Sequence, residues 1–248
     1  MKKILYGLAI ILPLLSFQCS RNEPKYGELK LRIVPKYGQD ALVMYQNVVS
    51  AQGFSMQFQR VSLFLQVQDG GAIAKNGEAD FVFIDLSNLT DLAKATQGIS
   101  SSFDLEVGNY NALNLGIGVP KSLNKKQPSD FSSKSPLSET GEYWKSWDSY
   151  IFTKTEGVMD TTKTGKGDLP FSYHTGIDEM FRTINFPASF TINENQSTEL
   201  VLELDVKELL NGKAGVINPL KNQNSHSLSN KSIAITLSDN YKTALKIK

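Results

Sequence analysis

The chain has 248 residues, with 26 Lys and Arg against 25 Asp and Glu, 40% hydrophobic residues and 21% charged ones. That balance describes a globular chain long enough for one large domain and excludes intrinsic disorder. No basic excess is present to displace counterions, which excludes nucleic acid as a partner. The single cysteine, Cys19, excludes an internal disulfide and cysteine-rich zinc or iron–sulfur sites.

Met1-Lys2-Lys3 is a short positive start, and Ile4 to Leu15 is an apolar run interrupted only by Pro13. The run is too short to span a bilayer and reads as the core of a signal segment over residues 1–18. Leu15-Ser16-Phe17-Gln18-Cys19 resembles a bacterial lipobox. That resemblance implies cleavage before Cys19, acylation of its thiol and new amine, and a lipid-anchored protein of the bacterial cell envelope. Residues 19–27 then form the lipidated cysteine and tether, and 28–248 the domain. Loss of Lys2 and Lys3 with the signal leaves 24 basic against 25 acidic residues.

Glu28 to Val34 alternates charged and apolar residues, a half-buried strand with Leu29, Leu31 and Ile33 facing the core. Phe54 to Val67 becomes β-rich and stops at the turn signal Asp69-Gly70-Gly71. Asp80 to Leu86 reads as a strand buried on both faces, and Asp91 to Ala95 as a helical turn. Ser102 to Val107 and Asn111 to Val119 alternate cleanly on either side of Gly108-Asn109-Tyr110, which predicts a hairpin. Pro120 to Gly141 is polar and rich in Ser, Lys and Pro, a long surface loop, and Asp160 to Asp168 is a second polar loop. Thr198 to Asp205 is a strong strand. Val206 to Gly212 reads as a short helix with Asp205 as N-cap and Gly212 as C-cap. Many short strands separated by turns, without a βαβ alternation, predict an all-β antiparallel β-sandwich with one or two short helices.

The richest stretch runs from Glu142 to Gly157 and holds both tryptophans, Trp144 and Trp147. In an extended strand Trp144, Asp148, Tyr150 and Phe152 would share one face and Trp147 the other. The two histidines of the chain, His174 and His226, follow in Phe171-Ser172-Tyr173-His174-Thr175-Gly176 and Asn224-Ser225-His226-Ser227-Leu228. Imidazole is a good copper ligand, and two neutral histidines with a weak third donor suffice for Cu(I). Two exposed or internally hydrogen-bonded histidines would leave the same trace in the sequence.

The pattern Y-W-x-x-W-x-S-Y-x-F-x-x-x-E-G, then F-x-x-H-x-G, then S-H-S, resembles the copper-binding MbnP-like family of bacterial secreted proteins and lipoproteins. The chain departs from that family's pattern in carrying Glu142 where a methionine is usual and Ser149 where a glycine is usual. The resemblance covers most of residues 28–245 and is most specific at 143–157, 171–176 and 224–228. It implies copper held by His174 and His226. It further implies a tryptophan, first Trp144 and then Trp147, oxidised to kynurenine by a partner di-haem peroxidase, whose new amine can join the ligand set. Indole itself is a poor ligand, since its nitrogen only donates hydrogen bonds.

The competing reading is a non-catalytic carbohydrate- or peptide-binding lipoprotein, in which Trp144, Trp147 and Tyr150 form an exposed stacking platform. An enzyme is not expected. Gly116-Ile117-Gly118 lacks the third glycine of a dinucleotide loop, Thr164-Gly165-Lys166-Gly167 lacks the frame of a P-loop, and no G-x-S-x-G elbow occurs.

Overall fold

The structure, a computed structural model, describes residues 23–75, 80–226 and 228–248. The expected signal segment and Cys19 lie outside the described residues, as does Ser227.

In chain order the principal elements begin with β1 (Tyr26–Tyr37), β2 (Ser55–Val67), β3 (Phe81–Asp85), α1 (Leu92–Gln97), β4 (Ile99–Glu106) and β5 (Gly108–Ile117). They continue with α2 (Lys121–Asn124), β6 (Tyr143–Trp144), β7 (Ser149–Asp160), β8 (Leu169–Gly176) and β9 (Arg182–Ile192). The chain closes with β10 (Ser197–Asp205), α3 (Val206–Leu210), α4 (Lys231–Ala244) and β11 (Leu245–Ile247). Strands β11, β10, β1 and β4 form one sheet in that order, extended by the short strands Asp40–Ala41 and Ile73–Ala74. Strands β8, β7, β2, β5 and β9 form the other, with β3 and Asn47–Val49 on β2 and β6 on β7.

The two sheets pack face to face, as the alternation predicts. Leu29, Leu31 and Ile33 are fully buried, together with Phe103, Leu105, Leu202 and Leu204 of the same sheet. They meet Phe58, Val61, Leu63, Leu65, Leu113, Leu115, Phe171 and Tyr173 of the other. Each such side chain contributes about 1.5–3 kcal/mol by leaving water.

The architecture is the expected antiparallel β-sandwich with few helices; within it one central pair, β1 with β10, runs parallel in the register Leu31↔Leu200. Among the described residues α1, α2 and α3 are short, and α4 spans 14 residues over the stretch that contains Ser232 to Leu237. Two local expectations need correction. Asp205 caps α3 as expected, accepting from Lys207 N, but the helix ends on Asn211, and Gly212 belongs to a small hairpin with Gly215. Finally, β4 and β5 form no hairpin: β4 pairs with β1, and β5 pairs with β9 and β2 in the opposite sheet. Val107, between them, donates its N–H to Lys25 O at 2.8 Å, and Tyr110 stacks on Phe190 with ring centres 5.0 Å apart. Alternation reports one buried face, and the inner faces of both sheets produce the same pattern.

The polar excursion after β5 is also more than a surface loop. It folds into α2 and three short 3-10 turns against the outer face of the β8–β9 sheet, where Leu137 is buried beside Phe64, Phe81, Tyr150, Phe152 and Met180. The side-chain oxygen of buried Asn124 accepts from Tyr150 N at 2.9 Å, and Tyr150 OH donates to Leu137 O at 2.8 Å. A second, smaller core therefore lies outside the sandwich and holds the excursion in place.

Strand β7 carries a register shift against β2 between Glu156 and Gly157. A Cβ on Gly157 would lie 2.1 Å from Gln57 O and 2.5 Å from the Phe171 ring, so only glycine fits. Gly157→Ala is expected to lower stability by about 1–3 kcal/mol through overpacking. The check is the urea midpoint, and an unmoved midpoint would show that the backbone absorbs the methyl group.

Candidate functional site

Strand periodicity builds a polar patch on the outer face of the sheet that carries β7 and β8. The inner face of β7 takes Thr153, Thr155 and Gly157, so Lys154 and Glu156 point outward. Across the ladder, Lys154 pairs with His174 and Ser62, and Glu156 pairs with Ser172 and Arg60. Ser172 and His174 are two apart on β8 and share its outer face, while Phe171 and Tyr173 enter the core.

β8 ends the ordered path of its sheet, and a short piece of the segment after α3 covers its free edge. Ser172 N donates to Gln223 O at 2.8 Å, Ser225 N donates to Ser172 O at 3.3 Å, and Ser172 and Asn224 form a parallel bridge. The fully buried Ser225 hydroxyl accepts from His174 N at 2.9 Å and donates to His174 O at 2.7 Å. A side chain thus stands in for a strand neighbour and satisfies both main-chain groups of His174. This clasp places the next residue, His226, over the sheet. The rings of His174 and His226 stack with centres 4.3 Å apart and planes 28° from parallel.

A hydrogen-bond cluster holds the imidazoles. His174 Nε2 lies 2.5 Å from Glu156 Oε1 and 3.2 Å from Ser172 Oγ, and His226 Nε2 lies 2.9 Å from Ser172 Oγ. Ser172 Oγ in turn lies 3.3 Å from Glu156 Oε1. The hydrogen bond from His174 holds the Glu156 carboxyl below its ordinary value, helped by the charges of Arg60 and Lys154 and opposed by burial. Desolvation lowers the His226 imidazole, and the neighbouring His174 adds to the effect.

Both shifts act in one direction. As pH falls below the ordinary histidine value of 6.5, the unfolded chain takes up a proton at His226 before the folded chain does. As pH falls below the ordinary carboxyl value of 4.5, the unfolded chain does the same at Glu156. Stability is therefore expected to decline from pH 6.5 downward and further below 4.5. A urea midpoint in the His226→Gln, Glu156→Gln double variant that tracks wild type over the same range would exclude these groups as the cause.

The tryptophan segment differs from the extended strand expected of it. Tyr143 and Trp144 pair with Tyr150 and Ser149, and the chain between them turns, with Trp147 N bonded to Trp144 O at 3.0 Å and Asp148 at φ 50°. A left-handed residue is tolerated by aspartate better than by most side chains. The turn folds Trp147 back onto Trp144, so their rings stack 4.4 Å apart and 13° from parallel instead of facing opposite ways. Trp144 meets both imidazoles edge to face, at 5.9 Å from His174 and 5.5 Å from His226. Tyr150 is fully buried, so the three-ring platform of the competing reading does not form.

A buried ion cluster pins this hairpin to the sheet. Glu142, just before β6, accepts from Arg60 Nη2 at 2.7 Å, and Lys154 Nζ lies 2.9 Å from its Oε2 and 3.0 Å from its Oε1. Lys154 also donates to Gly141 O at 3.1 Å.

His174, His226, Trp144 and Trp147 therefore come together, although they were named from three separate stretches. Glu156 lay inside the recognised pattern with no role attached, and Ser172, Ser225 and the Arg60–Glu142–Lys154 cluster were missed. The spacing of Ser172 and His174 was a usable signal, because residues two apart on a strand share a face. Among the described residues no group of three or more His, Cys, Asp or Glu side chains that could hold a metal ion is found.

Fold and site define a two-sheet β-sandwich protein with an imidazole pair and a tryptophan pair stacked on the outer face of one sheet. The chain belongs to the MbnP family, whose family model matches residues 26–231. The solved structure of MbnP from Methylosinus trichosporium covers 78% of this chain and 80% of its own length with a TM-score of 0.51. At 9% sequence identity that likeness is one of fold. No curated protein matches the chain.

Proposed function

We propose that this chain is a non-catalytic lipoprotein of the bacterial envelope, anchored through Cys19, that binds copper through His174 and His226 beside Trp144. The observation that carries the reading is the contact between its two histidines. Two imidazoles from β8 and from the segment after α3 meet at 4.3 Å with a tryptophan ring against both. Neutral imidazole suits copper, zinc, iron and nickel, and among divalent first-row metals the affinity order peaks at copper. Trp144 is the better candidate for oxidation to kynurenine, because its ring touches both histidines and a new amine there would join them. A di-haem peroxidase of the same compartment is the partner that would carry out that oxidation.

The test is copper per chain in the form beginning at Ser20, after loading with Cu(I) or Cu(II) and removal of excess metal. An intact mass of protein from the native host belongs in the same experiment, since a kynurenine side chain has one carbon fewer and one oxygen more than tryptophan. Near-stoichiometric copper supports the reading. A chain that retains no copper, with both tryptophans unmodified, would sink it.

A further inference from the structure

We infer that Glu156 is a positioning residue that fixes both imidazoles as the Nε2–H tautomer, so that a metal is taken by the two Nδ1 atoms. The second half of this statement rests on the copper function proposed above.

The reasoning is a count of protons. An ionised carboxylate only accepts, a serine hydroxyl has one proton to give, and a neutral imidazole carries one N–H. His174 Nε2 stands 2.5 Å from Glu156 Oε1, so His174 must be the donor. Ser172 Oγ has two acceptors in reach, Glu156 Oε1 at 3.3 Å and His226 Nε2 at 2.9 Å, and the ionised carboxylate is the stronger of the two, so Ser172 gives its proton to Glu156 and can then only accept elsewhere. His226 Nε2, 2.9 Å from Ser172 Oγ, therefore donates to it. Donors run from His226 through Ser172 to Glu156, and from His174 directly to Glu156. Each imidazole is left with a lone pair on Nδ1.

The surroundings keep Glu156 charged and in place. Arg60 and Lys154 flank it electrostatically, and its neighbour Gly157 admits no side chain that would shift the strand. With only 12% of the His174 side chain exposed, water competes weakly for the bond. A histidine that binds metal through one nitrogen is commonly oriented by a carboxylate on the other, and loss of that partner weakens metal binding by about 10–100-fold.

The chain has two histidines, so ¹⁵N labelling of histidine yields two readable ring systems. In the metal-free form beginning at Ser20, above the ordinary histidine pKa, both rings are expected as Nε2–H. Addition of Cu(I), which is diamagnetic, should shift both Nδ1 resonances and leave both Nε2 protons in place. Glu156→Ala should weaken Cu(I) binding about 10–100-fold, and Glu156→Gln, which keeps an accepting oxygen, should recover part of the loss. An Nδ1–H tautomer on either ring, loss of an Nε2 proton on Cu(I) binding, or wild-type affinity in Glu156→Ala would overturn the inference. The wild-type spectra decide the matter even if a variant fails to fold. If wild type takes up no Cu(I), the proposed function and the Nδ1 assignment fall together, while the metal-free tautomers still report on Glu156.

Discussion

Glu142→Ala is expected to cost about 3–5 kcal/mol of folding stability, the range for breaking a buried ion pair from one side. Glu142 and Lys154 are each 6% exposed, and the carboxylate is the shared partner of Lys154 and Arg60. Arg60 retains Asp85 at 3.6 Å when Glu142 is removed, but Lys154 keeps only the carbonyl of Gly141 as a hydrogen-bond partner, with the charge of Glu156 further off. A buried ammonium that has lost its direct carboxylate partner is the source of the loss. Replacing both partners, Glu142→Met with Lys154→Met, should recover most of it, since an apolar pair of similar volume removes the stranded charge. Methionine is also the residue that the family pattern favours at the first position. Urea unfolding of the single and double variants is the check. A single variant within about 1 kcal/mol of wild type would mean that the cluster behaves like a solvated surface pair.

On the copper function proposed above, His174→Ala is expected to weaken copper retention by more than about 100-fold, beyond the loss typical of removing a ligand's supporting partner. His174 is the better-held of the two rings. Its strand is part of the sheet, its side chain is 12% exposed, and Glu156 accepts from it. His226 follows the clasp on an exposed position, and its removal should cost less because the remaining ring stays oriented. The alanine variant keeps its fold, since Ser225 bonds the main chain of residue 174 and not its ring. Far-UV circular dichroism and the urea midpoint of the metal-free variant should therefore stay close to wild type while copper is lost on gel filtration. Copper retained with wild-type affinity would remove His174 from the ligand set.

Much of the sandwich could be read from the sequence, because a half-buried strand leaves an alternating trace. Leu29, Leu31 and Ile33 alternate with charged residues and are buried accordingly. The trace does not say which sheet a strand joins, so β4 and β5 looked like a hairpin. Nor does polar composition reveal a second core. Leu137 and Phe131 are scattered among Ser and Lys in the excursion, yet both pack around Tyr150. The paired histidines became legible through the family pattern alone, since neither spacing nor chemistry connects residues 174 and 226. Their supporting network depended on register across β2, β7 and β8, which only the fold supplies. The tryptophan turn was hidden for a local reason: one left-handed residue, Asp148, reverses the chain where alternation suggested that it runs straight.

The parallel pairing of β1 with β10 also sets the order in which the molecule can be finished. A ribosome delivers β1 first, and β4 can reach one of its edges early, but the other edge waits for residues 197–205. Closing so long a loop is entropically costly and places the fold among the slow, non-local topologies that take milliseconds to seconds. Until β10 arrives, Leu29, Leu31 and Ile33 lie along an open strand edge, a template for pairing with another chain. A truncated chain that ends before β10 therefore keeps a sticky N-terminal strand, and completion of the six-stranded sheet is the step that makes the molecule safe from its own copies.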